Sequence, residues 1–205
     1  KCGIDFLTSP YSIELVDLVD KYIPAYKIGS GDINWKQIVQ HIAKKNKPVI
    51  LATGASTLKD VSNAIGWIKK YNKRIAVLQC NTNYTGSKEN FKFINLNFLK
   101  TLKTKFKNIQ IGLSDHTPGD VTVLGAISLG AKIIEKHFTL DNSLDGPDHK
   151  FAMNPETWKK MIERSRELEL ALGNGNKKIE LNEKKTFYLQ RRSIRALKDI
   201  DKNSR

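Results

Sequence analysis

Short runs of consecutive apolar residues recur along the chain. Each ends in polar or glycine-rich residues and most lead into a stretch with helical spacing. Six runs read as strands: 4–8, 25–28, 49–52, 75–78, 109–113 and 133–137. They are apolar throughout rather than alternating, which is the pattern of parallel strands covered on both faces. Between them the spacing predicts a helix from Ile13 to about Lys21, capped by Ser12 and burying Leu15, Val16, Leu18 and Val19. A second helix follows Asn34 as its cap, with Ile38, Val39 and Ile42 inward. Further helices are expected over 58–70, capped by Ser56 or Thr57, near 98–106, and over 121–129. After the last strand, Asn154-Pro155-Glu156 opens a long helix that Gly173-Asn174-Gly175 ends.

The repeat of strand, polar loop and helix is that of β-α-β units. No Gly-x-Gly-x-x-Gly start and no phosphate-binding Lys motif follows the first strand, which weakens a nucleotide-binding open sheet. A TIM (β/α)8 barrel better explains polar residues after every strand. Such a barrel takes about 250 residues, and this chain has six strands and opens directly on one. The expectation is therefore a partial barrel over 1–175, lacking about the first two β-α units. Residues 176–190 read as a linker. Residues 191–205 read as the start of a second domain, with a strand beginning near Arg191.

Composition narrows the classes. The chain has 205 residues, 40% of them apolar, enough for a real core. The formal charge of +14 comes mostly from lysines spread over helices, such as Lys44-Lys45 and Lys69-Lys70. No basic helix with interleaved aromatics and no zinc-finger spacing accompanies them, so nucleic acid is not the expected partner. Cys2 and Cys80 are far apart, which suggests no disulfide framework and a reducing, cytoplasmic setting. No run approaches the length of a membrane span, and Asp5 interrupts the opening apolar run, so no signal peptide is expected.

The chemistry gathers at strand ends. His116 and His137 end two consecutive strands joined by one helix, so a single β-α-β unit delivers both imidazoles to one sheet edge. Asp115 and Glu135 stand beside them. Two neutral imidazoles with open positions suit Mn²⁺, Zn²⁺ or Fe²⁺, and an acid–base pair without metal stays open. Lys27 ends an apolar strand, where an unpaired ammonium is costly to bury. It needs either a buried acid or a ligand anion on which Thr8, Lys27, Ser30 and Ser114 converge. Asp32 can accept hydrogen bonds from hydroxyls, or simply supply a helix-start charge. Thr82, between Asn81 and Asn83, offers an uncharged hydrogen bond, while Tyr84 packs the loop. In Asp145-Gly146-Pro147-Asp148-His149, Asp148 is the candidate for substrate hydroxyls, and His149 is exposed or supporting.

Several of these stretches carry a resemblance. Thr8-Ser9-Pro10, the run from Ala25 to Asp32, Thr53-Gly54, the run from Gly112 to Thr117, the run from Glu135 to Thr139, and Gly146-Pro147-Asp148 together resemble the N-acetylneuraminate (sialic acid) synthase family. The run from Phe138 to Asp141, followed by Asp145 to His149, is similar to the bacterial legionaminic-acid branch. The resemblance implies a TIM barrel followed by a small antifreeze-like (SAF) domain that covers the partner's barrel in a homodimer. It implies condensation of phosphoenolpyruvate with the open-chain aldehyde of an N-acylated aldose, either N-acetylmannosamine or a related 2,4-diacetamido sugar. It places a divalent metal, usually Mn²⁺ with Mg²⁺ or Co²⁺ as substitutes, on His116 and His137. Lys27, His116 and His137 would be the catalytic set. Thr8, Lys27, Ser30 and Ser114 would hold phosphoenolpyruvate, with Asp32, Thr82 and Asp148 completing the substrate contacts. Asp32 stands where the family more often has Glu. The family's first-strand Glu and second-strand Lys have no counterpart here, so the 205 residues alone are not expected to catalyse the full reaction. The competing expectations are another metal-dependent barrel aldolase or synthase, and a catalytically silent fragment.

Overall fold

Five parallel strands form one curled sheet in sequential order: β1 (Tyr26–Ile28), β2 (Val49–Ala52), β3 (Ile75–Cys80), β4 (Gln110–Asp115) and β5 (Ile133–Lys136). The computed structural model describes residues 3–203. Helix α1 (Ile13–Val19) precedes the sheet. Helices α2 (Lys36–Lys44), α3 (Leu58–Lys69), α4 (Phe98–Lys105) and α5 (Val121–Ser128) connect successive strands, and α6 (Pro155–Leu172) follows β5. No step in the strand order reverses, so this is part of a (β/α) barrel rather than a doubly wound sheet with its switch point.

Alternation along the strands separates two environments. Tyr26, Ile28, Val49, Leu51, Ile75, Val77, Ile111 and Leu113 share one buried core with helix residues such as Ile38, Ile42, Ile65, Ile68, Leu99 and Leu102. The residues between them, including Lys27, Ile50, Leu78, Cys80, Ser114 and Glu135, face the concave side. The runs looked uniformly apolar because most inner positions below the strand ends are apolar too. At Gly112 an added Cβ would lie 2.3 Å from the Ile133 carbonyl oxygen and 2.4 Å from Leu78 Cδ2. Glycine there lets β5 close against β4.

Local signals set the helix starts. Ser12 accepts from the Leu15 amide at 3.2 Å. Thr57 and Asp60 form a capping box at the start of α3. The Tyr26 hydroxyl, fully buried, lies 2.9 Å from the Val16 carbonyl and 2.8 Å from Asp20 Oδ1, tying β1 to the end of α1. Asn34 is not a cap: α2 starts after Trp35, with no side-chain capping bond.

Two other expectations need correction. Residues 4–8 form no strand. A single backbone bond, from the Lys27 amide to the Thr8 carbonyl at 3.3 Å, reaches them, and Ile4 and Phe6 are exposed. An apolar run becomes a strand only when a neighbour offers a ladder. Within 176–190, the expected linker, Leu181–Glu183 makes a 3-10 turn and Lys184–Gln190 is helix α7. Among the described residues no strand begins at Arg191, and the Ile194 and Leu197 side chains are fully exposed. The segment Leu172–Arg205 forms its own small unit, and its described residues show no distinct antifreeze-like domain. Cys2 lies outside the described residues; Cys80 is buried and free. No described helix is long and apolar enough to cross a membrane.

Candidate active site at the carboxyl ends of the strands

The inner face of the sheet borders a cavity of about 420 Å³, whose lining includes Thr8, Lys27, Ile50, Leu78, Ile133 and Glu135. Lys27 Nζ lies 2.8 Å from Glu135 Oε1 across the sheet. This ion pair answers the need for an anion that the sequence raised. Glu135 is 45% exposed, so the pair is only partly desolvated and its carboxylate can move. Thr8 reaches the same cavity. Its carbonyl is held by the Lys27 amide.

A second group sits at the ends of β1, β2, β3 and β4. Ser30 Oγ accepts from the Gly54 amide at 2.9 Å. An added Cβ at Gly54 would meet Thr82 Cγ2 at 2.3 Å, Ser30 Oγ at 2.9 Å and Cys80 Sγ at 3.1 Å. Glycine therefore allows Ser30, Thr82 and Cys80 to crowd around one point. Ser114 pairs in register with both Cys80 and Glu135. Burial pushes the Cys80 thiol above its ordinary pKa, against the opposing hydrogen bonds of Ser30 and Ser114. Asp32 closes the 3-10 turn Ser30–Asp32, and burial pushes its carboxyl upward as well.

The two imidazoles meet as the β-α-β reading required. The His116 and His137 ring centroids are 5.1 Å apart. His116 Nδ1 lies 2.8 Å from the Asn81 carbonyl, which can only accept. His116 therefore carries its proton on Nδ1 and leaves the Nε2 lone pair free. Burial holds His116 below its ordinary pKa; the Asn81 bond opposes this, and the nearby His137 adds to it. His137 Nδ1 is 3.4 Å from Asp148 Oδ2. Two imidazoles sharing an ion at about 2.0–2.1 Å from each nitrogen would have centroids roughly 5 Å apart, so the observed separation is compatible with a shared divalent cation. Among the described residues no three His, Cys, Asp or Glu side chains surround one point.

On the opposite face of the same strand ends lies a charged network that sequence reasoning missed. Lys136 Nζ is 2.5 Å from Asp115 Oδ2 and donates to the Thr117 carbonyl at 2.7 Å. Asp115 also accepts from the hydroxyls of Thr117, at 2.9 Å, and Thr122, at 2.7 Å. The alternation that points the histidines inward sends Asp115 and Lys136 toward α5. Tyr84 was likewise underestimated. Its ring stands edge-on to His116 at 4.4 Å and to His137 at 5.8 Å. Phe151 flanks His137 at 5.2 Å. His149 faces away from the pair, with Nδ1 2.7 Å from Thr139 Oγ1.

A model of the NeuB family matches residues 1–177. An N,N'-diacetyllegionaminic acid synthase of Campylobacter jejuni is 39% identical over 98% of this chain and 60% of its own length. A pseudaminic acid synthase of the same organism is 37% identical over 98% of this chain and 57% of its own. The crystal structure of an N-acetylneuraminic acid synthetase from Leptospira borgpetersenii, in complex with citrate, superposes with a TM-score of 0.82 at 27% identity, covering 91% of this chain and 65% of that one. The chain thus spans about six tenths of the length of these curated relatives.

Proposed function

The chain belongs to the NeuB family, and from that premise we propose that it forms part of a synthase joining phosphoenolpyruvate to the open-chain aldehyde of an N-acylated aldose. The products are a sialic-acid-like nonulosonic acid and phosphate. The observation that carries this reading is the meeting, at one strand-end edge, of a partly buried lysine and two imidazoles 5.1 Å apart. An anionic enol and a carbonyl are the substrates such an edge can pair.

Lys27 holds an anionic oxygen of phosphoenolpyruvate, with the hydroxyls of Thr8, Ser30 and Ser114 as donors around it. Glu135 neutralises Lys27 until that anion arrives. His116, oriented by the Asn81 carbonyl, and His137, beside Asp148, present the lone pairs that would hold Mn²⁺. A bound divalent ion would supply positive charge to the aldehyde oxygen. Lys27 offsets phosphate charge while carbon 3 of the enol bonds to the aldehyde carbon and water adds at carbon 2. It stays beside the phosphate as the carbon–oxygen bond breaks. Asp32, Thr82 and Asp148 receive the sugar's hydroxyl and amide groups. The relatives' names favour N-acetylmannosamine or a 2,4-diacetamido sugar as the aldose, and a homodimer belongs to the same proposal.

The test uses the protein as expressed from its gene, with phosphoenolpyruvate, Mn²⁺ and each candidate sugar. Phosphate release should depend on the sugar, and mass spectrometry should find the condensation product. Lys27→Met should lower the rate about 10²-fold. Release of phosphate without sugar, or no product with any N-acylated aldose, would overturn the reading.

A further inference from the structure

We propose that the buried Asp115–Lys136 ion pair, with Thr117 and Thr122, is a positioning clamp that holds the His116 and His137 imidazoles at the separation a shared divalent cation requires. The inference rests on the functional reading above, since it assigns these residues a task in that same site.

Placement carries the argument. Asp115 and Lys136 are register partners, and they form the last rung of the β4–β5 ladder. Each immediately precedes one of the two histidines. Beyond that rung no strand pairing fixes one ring relative to the other. β5 is also an edge of the described sheet; just beyond it the Met153 amide holds the His137 carbonyl at 2.9 Å, in an isolated bridge that anchors His137 to its own following loop and not to His116. The ion pair therefore ties β4 to β5 at the point where the ladder between them ends. The Asp115 and Lys136 side chains are 0% and 2% exposed. The pair is fully partnered: Lys136 also donates to the Thr117 carbonyl, and Thr122 on α5 donates to the same Asp115 oxygen that Lys136 holds. One carboxylate thus ties the end of β4, the end of β5 and the first turn of α5. A pair needed only to stabilise the fold would be replaceable by apolar side chains, because burying two charges gains little over good apolar packing. A pair needed for direction would not be, because apolar side chains carry no hydrogen-bond geometry.

The experiment measures Mn²⁺ binding by calorimetry and the melting midpoint on the protein as expressed from its gene. Lys136→Met leaves a buried carboxylate without its cation. Its midpoint should fall by about 6–20 °C. The double variant Asp115→Leu/Lys136→Met should regain most of that midpoint. It should nevertheless bind Mn²⁺ about 10–100-fold more weakly than the wild type. A double variant with a restored midpoint and wild-type Mn²⁺ affinity would show the pair to be structural and overturn the clamp. If the double variant does not fold, Thr122→Val decides. It removes one donor to Asp115 while keeping shape, and should weaken Mn²⁺ binding about threefold or more with a midpoint within a few degrees. Unchanged binding there overturns the clamp equally. Should the wild type bind no Mn²⁺, the metal reading of the imidazole pair falls, and the clamp with it. Failure of the reading is thus seen in the wild type, and failure of the clamp alone in the variants.

Discussion

Replacing Gly54 by alanine adds one methyl group at the most crowded point of the strand-end edge. The backbone there is outside the left-handed region, so the cost is steric rather than conformational. The new carbon would lie 2.3 Å from Thr82 Cγ2. Carbon pairs rest at about 3.5–4.0 Å, so the contact is short by roughly 1.2 Å or more. Ser30 Oγ, at 2.9 Å, cannot simply retreat, because the Gly54 amide donates to it. Overpacking of this kind costs about 1–3 kcal/mol. At about 2–4 °C per kcal/mol for a chain of this size, the melting midpoint should fall by about 2–12 °C. If Ser30 serves phosphoenolpyruvate, its affinity should drop about tenfold, which corresponds to about 1.4 kcal/mol. Calorimetric titration with phosphoenolpyruvate and a thermal melt read both effects. Gly54→Ala/Thr82→Ser removes Cγ2, the nearest offending atom, and should recover much of the loss. A Gly54→Ala protein with wild-type midpoint and affinity would refute the packing argument. Failure of Thr82→Ser to rescue would place the clash elsewhere.

Gly112→Ala drives a methyl against the Ile133 carbonyl, a backbone atom that cannot rotate away. The β4–β5 ladder should open, with a loss of about 3 kcal/mol or more in urea denaturation. Tyr26→Phe removes the hydroxyl shared by the Val16 carbonyl and Asp20. A cost of about 1–2 kcal/mol in the same assay is expected. The pH dependence follows from His116, whose folded-state pKa lies below the ordinary value of 6.5. Between the two values the unfolded chain binds more protons than the folded one, so stability should fall as pH drops from about 7 through 6.5 and toward the depressed value. His116→Asn should flatten that part of the stability curve. An unchanged slope would mean that His116 is not the buried neutral imidazole described.

Much of the sheet was legible because parallel strands covered on both faces leave an unbroken apolar run, as in Val49–Ala52 and at the start of Ile75–Cys80, where the sequence showed 75–78. The Ser12 cap was readable, and Thr57 was one of two candidates, because caps act within one turn. Residues 4–8 misled for a physical reason: the run is as apolar as a strand, but whether a ladder awaits it depends on residues far away in sequence. Lys27 announced its need for an anion, while the identity of its partner, Glu135, lay 108 residues away. Asp115 and Lys136 were visible as neighbours of the histidines. Their mutual burial was not, because a charge beside a candidate site reads as part of that site or as solvated surface. Only the register of β4 against β5 sends them to the other face. Tyr84 lay in a loop without periodicity, so nothing in its spacing told that its ring covers both imidazoles.

The central claim is that one strand-end edge holds an anionic enol on Lys27 and a divalent ion on His116 and His137. A crystal structure of the protein with phosphoenolpyruvate and Mn²⁺, read at the manganese absorption edge, tests it directly. The account predicts one anomalous peak beside the two imidazoles, with an anionic group of phosphoenolpyruvate at Lys27, Ser30 and Ser114 and Glu135 displaced from or sharing the ammonium. A peak elsewhere, or phosphoenolpyruvate bound away from Lys27, would contradict it.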